Sequence, residues 1–133
     1  MILVDSSVWI DYFRSADTPQ VAMLDSYLGR TQIAVGDLIA AEVLQGVRDE
    51  KEFKWVKRVF DTFTRLDLCG YDLAIKASEN YRLLRSKGIT IRKTIDTLIA
   101  TRCMESGLTL LHADQDFRPF VEHLGLREAF SEA

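Results

Sequence analysis

The chain has no run approaching the roughly 20 apolar residues needed to cross a bilayer. Its first residues lack a basic segment followed by an apolar one, so no secretory leader is expected. Cysteine is scarce: Cys69 and Cys103 stand far apart and form no CxxC pair. Two reduced thiols in a cytoplasmic protein are the simplest expectation. Histidine is equally scarce, with His112 and His123 alone, which leaves a His-rich zinc centre unsupported. Neither a GxSxG nucleophile motif nor a phosphate-binding P-loop occurs. Repeats, low-complexity segments and long linkers are absent as well.

What is present is the composition of a soluble globular domain, with 47% hydrophobic and 28% charged residues. At 133 residues the chain is long enough for one domain with a real core. The net charge of −3 argues at first against a nucleic-acid partner, but its distribution matters more than its total. From Arg82 to Lys93 the chain carries Arg82, Arg85, Lys87, Arg92 and Lys93 and no acid. This stretch is either a solvated helix end, where cations suit the dipole, or a set of phosphate contacts.

Strand and helix patterns alternate. The apolar run at 1–4 reads as a short buried strand, and 32–35, 65–68 and 108–111 read as further strands. Ser6 or Ser7 is expected to cap a helix over 8–14. Thr18-Pro19 supplies a cap and first-turn proline for the next helix. An apolar helix is expected over 37–47 and an amphipathic one over 50–63, with Phe53, Val56, Phe60 and Phe63 on one stripe. Helices over 72–86 and 94–106 are stopped by Gly88 and Gly107. A last helix spans 115–123, and 126–130 reads as a final strand. Trp9, Phe13, Trp55, Phe60 and Phe63 fall at helical spacing and are expected in the core or an interface. The alternation predicts an α/β fold whose central, mainly parallel sheet of 4–5 strands is flanked by helices.

Four acids fall where such a fold gathers its chemistry, outside the carboxyl ends of the strands. Asp5 ends the first strand. Glu42 interrupts an apolar helix, with Leu38, Ile39 and Val43 as helical neighbours and no local ion partner. Asp96 opens a helix on a face it shares with Ile99, Ala100 and Cys103, so it should point inward. Asp114 follows the fourth strand, with Asp116 close behind as a weaker participant. Each has a structural alternative: Asp5, Asp114 and Asp116 as caps or turns, Asp96 as a dipole partner, Glu42 as a side chain reaching water from the rim. Together they point to a hard divalent cation, since clustered anions repel unless a cation is present. Mg²⁺ or Mn²⁺ suits an all-oxygen site and would activate water against a phosphodiester. Ser6 or Ser7 is an accessory candidate for orienting a metal-bound water, and His112 a neighbour of the acidic turn.

The segment Val4-Asp5-Ser6-Ser7-Val8-Trp9-Ile10-Asp11-Tyr12-Phe13 resembles the opening of PIN-domain ribonucleases, specifically the VapC-type toxins. Glu42 within Ala41-Glu42-Val43-Leu44-Gln45-Gly46 resembles the family's second acidic motif. Asp96-Thr97-Leu98-Ile99-Ala100 resembles the third, and Leu110-Leu111-His112-Ala113-Asp114-Gln115-Asp116-Phe117 the last. The resemblance implies one PIN-like domain over residues 1–133 and a Mg²⁺- or Mn²⁺-dependent endoribonuclease. It implies metal ligation by Asp5, Glu42, Asp96 and Asp114, with Asp116 less central. It also implies neutralisation by a VapB-type antitoxin, a homodimer, operator DNA bound only through the antitoxin complex, and cytoplasmic residence without a membrane partner. His112 departs from the pattern, since many relatives carry a small hydroxyl residue there. On this reading RNA is the substrate, with Arg82, Arg85, Arg92 and Lys93 as its phosphate contacts.

Two rivals differ in class. One is a catalytically silent PIN-like binding module whose acidic pocket engages an Arg of a partner protein. The other is a haloacid-dehalogenase-like phosphatase, disfavoured because that chemistry wants a second Asp where Ser7 stands.

Overall fold

Three- and four-residue apolar strands can be stable only if both faces are covered, and they are. In the computed structural model, which describes residues 1–129, every residue of β1 (Ile2–Val4) and β2 (Ile33–Gly36) is buried. Successive strand residues point to opposite faces, so helices must lie on both sides. With β3 (Thr64–Leu66) and β4 (Thr109–Leu111) these strands form an all-parallel sheet in the order β3-β2-β1-β4. The α/β expectation therefore holds. The expected strand at 126–130 reduces to one parallel bridge between Leu110 and Glu128. Phe130 lies outside the described residues.

The helices are α1 (Ser6–Phe13), α2 (Pro19–Tyr27), α3 (Asp37–Gln45), α4 (Glu50–Asp61), α5 (Tyr71–Ser86), α6 (Thr94–Ser106) and α7 (Arg118–Leu124). Thr18 caps α2 as expected, its hydroxyl accepting the Val21 amide at 3.1 Å. Gly107 ends α6 in the left-handed conformation, which L side chains rarely adopt. The α1 cap differs from expectation. Asp5, not Ser6 or Ser7, is the cap residue: its backbone is extended and its carboxylate accepts the Ser7 amide at 3.1 Å. The serine hydroxyls are committed elsewhere.

Other boundaries shift for local reasons. Strand β3 stops at Leu66, because the Leu68 amide leaves the ladder and donates to Asp37 Oδ1 at 2.8 Å. The helix expected over 115–123 is split into a 3₁₀ turn (Gln115–Phe117) and α7, with Pro119 in the first turn of α7 and Asp114 capping the 3₁₀ turn.

Trp9 is fully buried and gathers Phe13, Phe60 and Phe63 at ring distances of 5.8, 5.2 and 5.5 Å. Trp55, half exposed, meets the edge of Phe13 at 5.3 Å. The aromatic residues thus pack together rather than forming a stacking platform. Among the described residues no helix is long and apolar enough to cross a membrane.

A carboxylate cluster at the carboxyl edge of the sheet

A parallel sheet sends every strand's carboxyl end to one edge, and the register there is tight. Val4 pairs with Leu111, so the next residues of each chain segment, Asp5 and His112, emerge side by side. The Asp5 amide donates to the Leu111 carbonyl at 2.9 Å, extending the ladder by one bond. α3 starts directly after β2 at the same edge and carries Glu42. α6 brings Asp96 in its first turn from the loop after α5.

Asp96, Asp114 and Asp116 each bring a carboxylate oxygen within 4.8 Å of the other two. Asp96 is almost fully buried, as its inward placement beside Ile99, Ala100 and Cys103 predicts. Asp114 and Asp116 are partly open. Asp116, the weaker candidate in sequence, is thus a full member of the tight trio. Its amide donates to Asp114 Oδ1 at 2.9 Å, which fixes the turn that presents both.

Asp5 and Glu42 stand beside this trio, each held by a serine. Ser7 Oγ donates to Asp5 Oδ2 at 2.6 Å, and Ser6 Oγ donates to Glu42 Oε1 at 3.2 Å. The hydroxyls therefore orient carboxylates. Glu42 is half-buried and finds its partner across sequence, on α1.

The electrostatics follow from packing this many anions together. Burial pushes the Asp5 carboxyl above its ordinary range, against the lowering pull of the Ser7 hydroxyl and amide. Glu42 is raised by burial and by the charge of Asp5, opposed by Ser6 and Lys93. Asp96 is raised from 3.8 to about 6, chiefly by burial; Lys93 pulls it down, while Asp5, Asp114 and Asp116 push it up. At Asp114 burial also acts upward, but the Asp116 amide and Lys93 outweigh it and hold the group below its usual range.

Lys93 is the local counter-charge. Its Nζ lies 3.3 Å from Asp114, 3.6 Å from Asp96 and 4.0 Å from Asp116. Arg92 pairs with Asp116 at 2.9 Å. Both residues, expected to face a phosphate chain, thus fold back onto the acids. Arg82 and Arg85 are exposed on α5 and line a groove of about 490 Å³ that reaches Thr94, the first residue of α6. Arg85 also lies over the Tyr81 ring at 5.7 Å.

A second polar cluster escaped the sequence reading. Glu128 accepts from Arg118 and meets His112 Nε2, both at 2.7 Å. His112 Nδ1 accepts the Asp114 amide at 3.2 Å, which places the ring proton on Nε2, facing Glu128. His112 thus braces the acidic loop from behind. Nothing in the sequence near Glu128 marks it, because its partners lie 10 and 16 positions away. These residues and Asp114 also line a cleft of about 410 Å³, together with Pro19, Gln20 and Met23 of α2. Cys69 and Cys103 are free, and burial pushes the Cys103 thiol up to about 12.

The donor set fits a hard divalent cation. All candidate ligands are oxygens, and Asp96 Oδ2 is buried with no hydrogen-bond partner among the described residues. A buried carboxylate oxygen left without a donor is costly; the Lys93 ammonium 3.6 Å away is too far to donate to it, and a directly bound cation would satisfy it.

An all-parallel α/β sheet with a carboxylate cluster at its carboxyl edge defines an acid-site domain built for divalent-cation chemistry. The chain belongs to the PIN domain family, whose model matches residues 2–121, and within it to the VapC ribonucleases. It is 32% identical over 134 residues to the VapC ribonuclease Mb1587 of Mycobacterium bovis and to ribonuclease VapC11 of Mycobacterium tuberculosis, matching 97% of this chain and 98% of each relative. Among solved structures, VapBC2 from Rickettsia felis bound to a fragment of its promoter DNA is similar in fold, with a TM-score of 0.74 at 17% identity over 97% of this chain and 98% of that one. Mycobacterium tuberculosis VapC20, a toxin that cleaves the sarcin-ricin loop, gives a TM-score of 0.67 at 16% identity over 98% and 100%.

Proposed function

We propose that this protein, as a single PIN domain over residues 1–133, is a metal-dependent endoribonuclease acting as the toxin of a type II toxin–antitoxin module. The observation that carries the reading is the trio Asp96, Asp114 and Asp116 beside the serine-held Asp5 and Glu42. Asp5, Asp96 and Asp114 would hold Mg²⁺ or Mn²⁺, with Asp116 completing the cluster. A cation bound there would acidify a water and offset charge on a phosphodiester. Glu42, fixed at Oε1 by Ser6, orients the attacking water and takes its proton at the free oxygen. Arg92 and Lys93 at the rim, and Arg82 and Arg85 along the α5–α6 groove, bind the RNA phosphates.

The VapBC complex bound to promoter DNA supports an antitoxin partner and operator DNA, and the resemblance to the VapC-type toxins extends this to a cytoplasmic homodimer. A VapB-type antitoxin neutralises the toxin, operator DNA is bound only through that complex, and the toxin works in the cytoplasm as a homodimer.

Cleavage of total RNA by the purified protein with Mg²⁺, with Mn²⁺ and with EDTA tests the reading, with Asp96→Asn prepared identically. Metal-dependent cutting that the variant lacks is the expected result. One observation favours the silent binding module as a second reading: an organic cation, Lys93, already fits the acidic cluster. Tight metal-independent capture of an Arg-bearing partner, with every RNA left intact, would move the assignment there.

A further inference from the structure

Lys93 occupies a position that its sequence neighbourhood does not explain. It is the N-cap residue of α6, where no side chain caps the helix. Its stem runs forward over the first turn, so that one ammonium reaches Asp96, Asp114 and Asp116 together. These are the same three residues whose oxygens converge within 4.8 Å. The nearest cation to the unpartnered Asp96 Oδ2 is this ammonium, at 3.6 Å, too far for a hydrogen bond. Arg92 is different. It touches Asp116 and leaves Asp96 alone, and its side chain is 80% exposed.

We propose that Lys93 is the resident counter-cation of the metal-free site: its ammonium takes the space that a divalent cation would fill and must withdraw for that cation to enter. The inference rests on reading the acidic cluster as a metal site. A univalent and a divalent cation cannot share three carboxylates at 3–4 Å without strong repulsion. Withdrawal is easy, because the Lys93 side chain is 51% exposed, whereas Asp96 beneath it is 5% exposed. Its flexible stem can swing the ammonium back to water. Lys93 therefore raises the cation concentration at which the site fills. Once displaced, it is a free positive charge beside the site, so cation uptake strengthens the hold on an anionic chain, and the reverse follows by linkage.

Calorimetric titration with Mg²⁺ at pH 8.5 tests this on the wild-type protein, Lys93→Met, Lys93→Arg and, as a neighbouring-charge control, Arg92→Met. Lys93→Met is expected to bind Mg²⁺ about tenfold more tightly than wild type, the size of one partly screened charge at this range. Its melting temperature in EDTA is expected to fall, because the acids lose their counter-charge. Lys93→Arg should stay near wild type, and Arg92→Met should change Mg²⁺ affinity by less than about threefold. Equal affinity in wild type and Lys93→Met would overturn the inference and leave the metal site standing. An equally large gain in Arg92→Met would also overturn it, reducing the effect to general surface potential. No Mg²⁺ binding by any of the four proteins would overturn the metal site and this inference together.

Discussion

The Ser7 hydroxyl accepts the backbone amide of Ala113 at 3.1 Å, joining two residues 106 positions apart. The same oxygen donates to Asp5 at 2.6 Å, so one hydroxyl ties the start of α1 to the loop that carries Asp114. Ser7→Ala should therefore act on both stability and the site. It removes a bond to a charged group and leaves an amide without its acceptor, a loss of about 1–3 kcal/mol. Urea denaturation in EDTA reads the stability, and a weaker Mg²⁺-induced rise in melting temperature reads the site. An unchanged variant on both would show that the loop is held by other contacts.

Asp96 makes the metal-free protein sensitive to pH. Its folded-state value, about 6, lies above its ordinary 3.8, so the folded protein binds that proton more tightly than the unfolded chain does. The contribution is fully present below pH 3.8 and is lost as pH rises through 6. Asp96→Asn, neutral throughout, should be more stable than wild type in EDTA at pH 7.5, by at most about 2–3 kcal/mol. The gap should close at pH 4. Denaturant melts at the two pH values check it, and a gap that widens toward pH 4 would reverse the sign.

Glu42→Gln separates proton transfer from cation binding. Losing a positioned general base lowers rates about 10²–10⁴-fold. RNA cleavage should fall by that amount, while the melting temperature still rises on adding Mg²⁺. Cleavage at the wild-type rate would remove Glu42 from the chemistry.

Gly36 ends β2 just before α3, and a Cβ there would collide with the side chain of the fully buried Leu68. Gly36→Ala should destabilise the fold by about 1–3 kcal/mol through overpacking. It should also reduce cleavage, because α3 carries Glu42 away from this junction. Trimming the neighbour as well, in Gly36→Ala with Leu68→Ala, should recover part of the overpacking loss; complete additivity of the two changes would place the strain elsewhere.

Much of this molecule was legible without coordinates, and the reason is locality. Apolar runs, helical stripes, the Thr18-Pro19 start and the Gly107 stop depend on neighbours within four positions, so they mark the elements directly. The four acids stood out for the same reason, each breaking or ending a local pattern: Glu42 amid Leu38, Ile39 and Val43, and Asp96 on an apolar face. Strand order, the exchange of capping duty from Ser6 and Ser7 to Asp5, the full membership of Asp116, and the brace of His112 by Glu128 were decided elsewhere. Each depends on contacts between distant segments: the strand pairings, among them Val4 with Leu111, the approach of Asp96 to Asp114 and Asp116, and the bridge of Leu110 to Glu128. Lys93 is the plainest example. Its sequence context places it in a basic stretch facing outward, but carboxylates assembled from two separate segments, the first turn of α6 and the turn after β4, pull it in. Local chemistry determined which residues were available; long-range packing, through the charge it concentrated at one edge, decided which of them met.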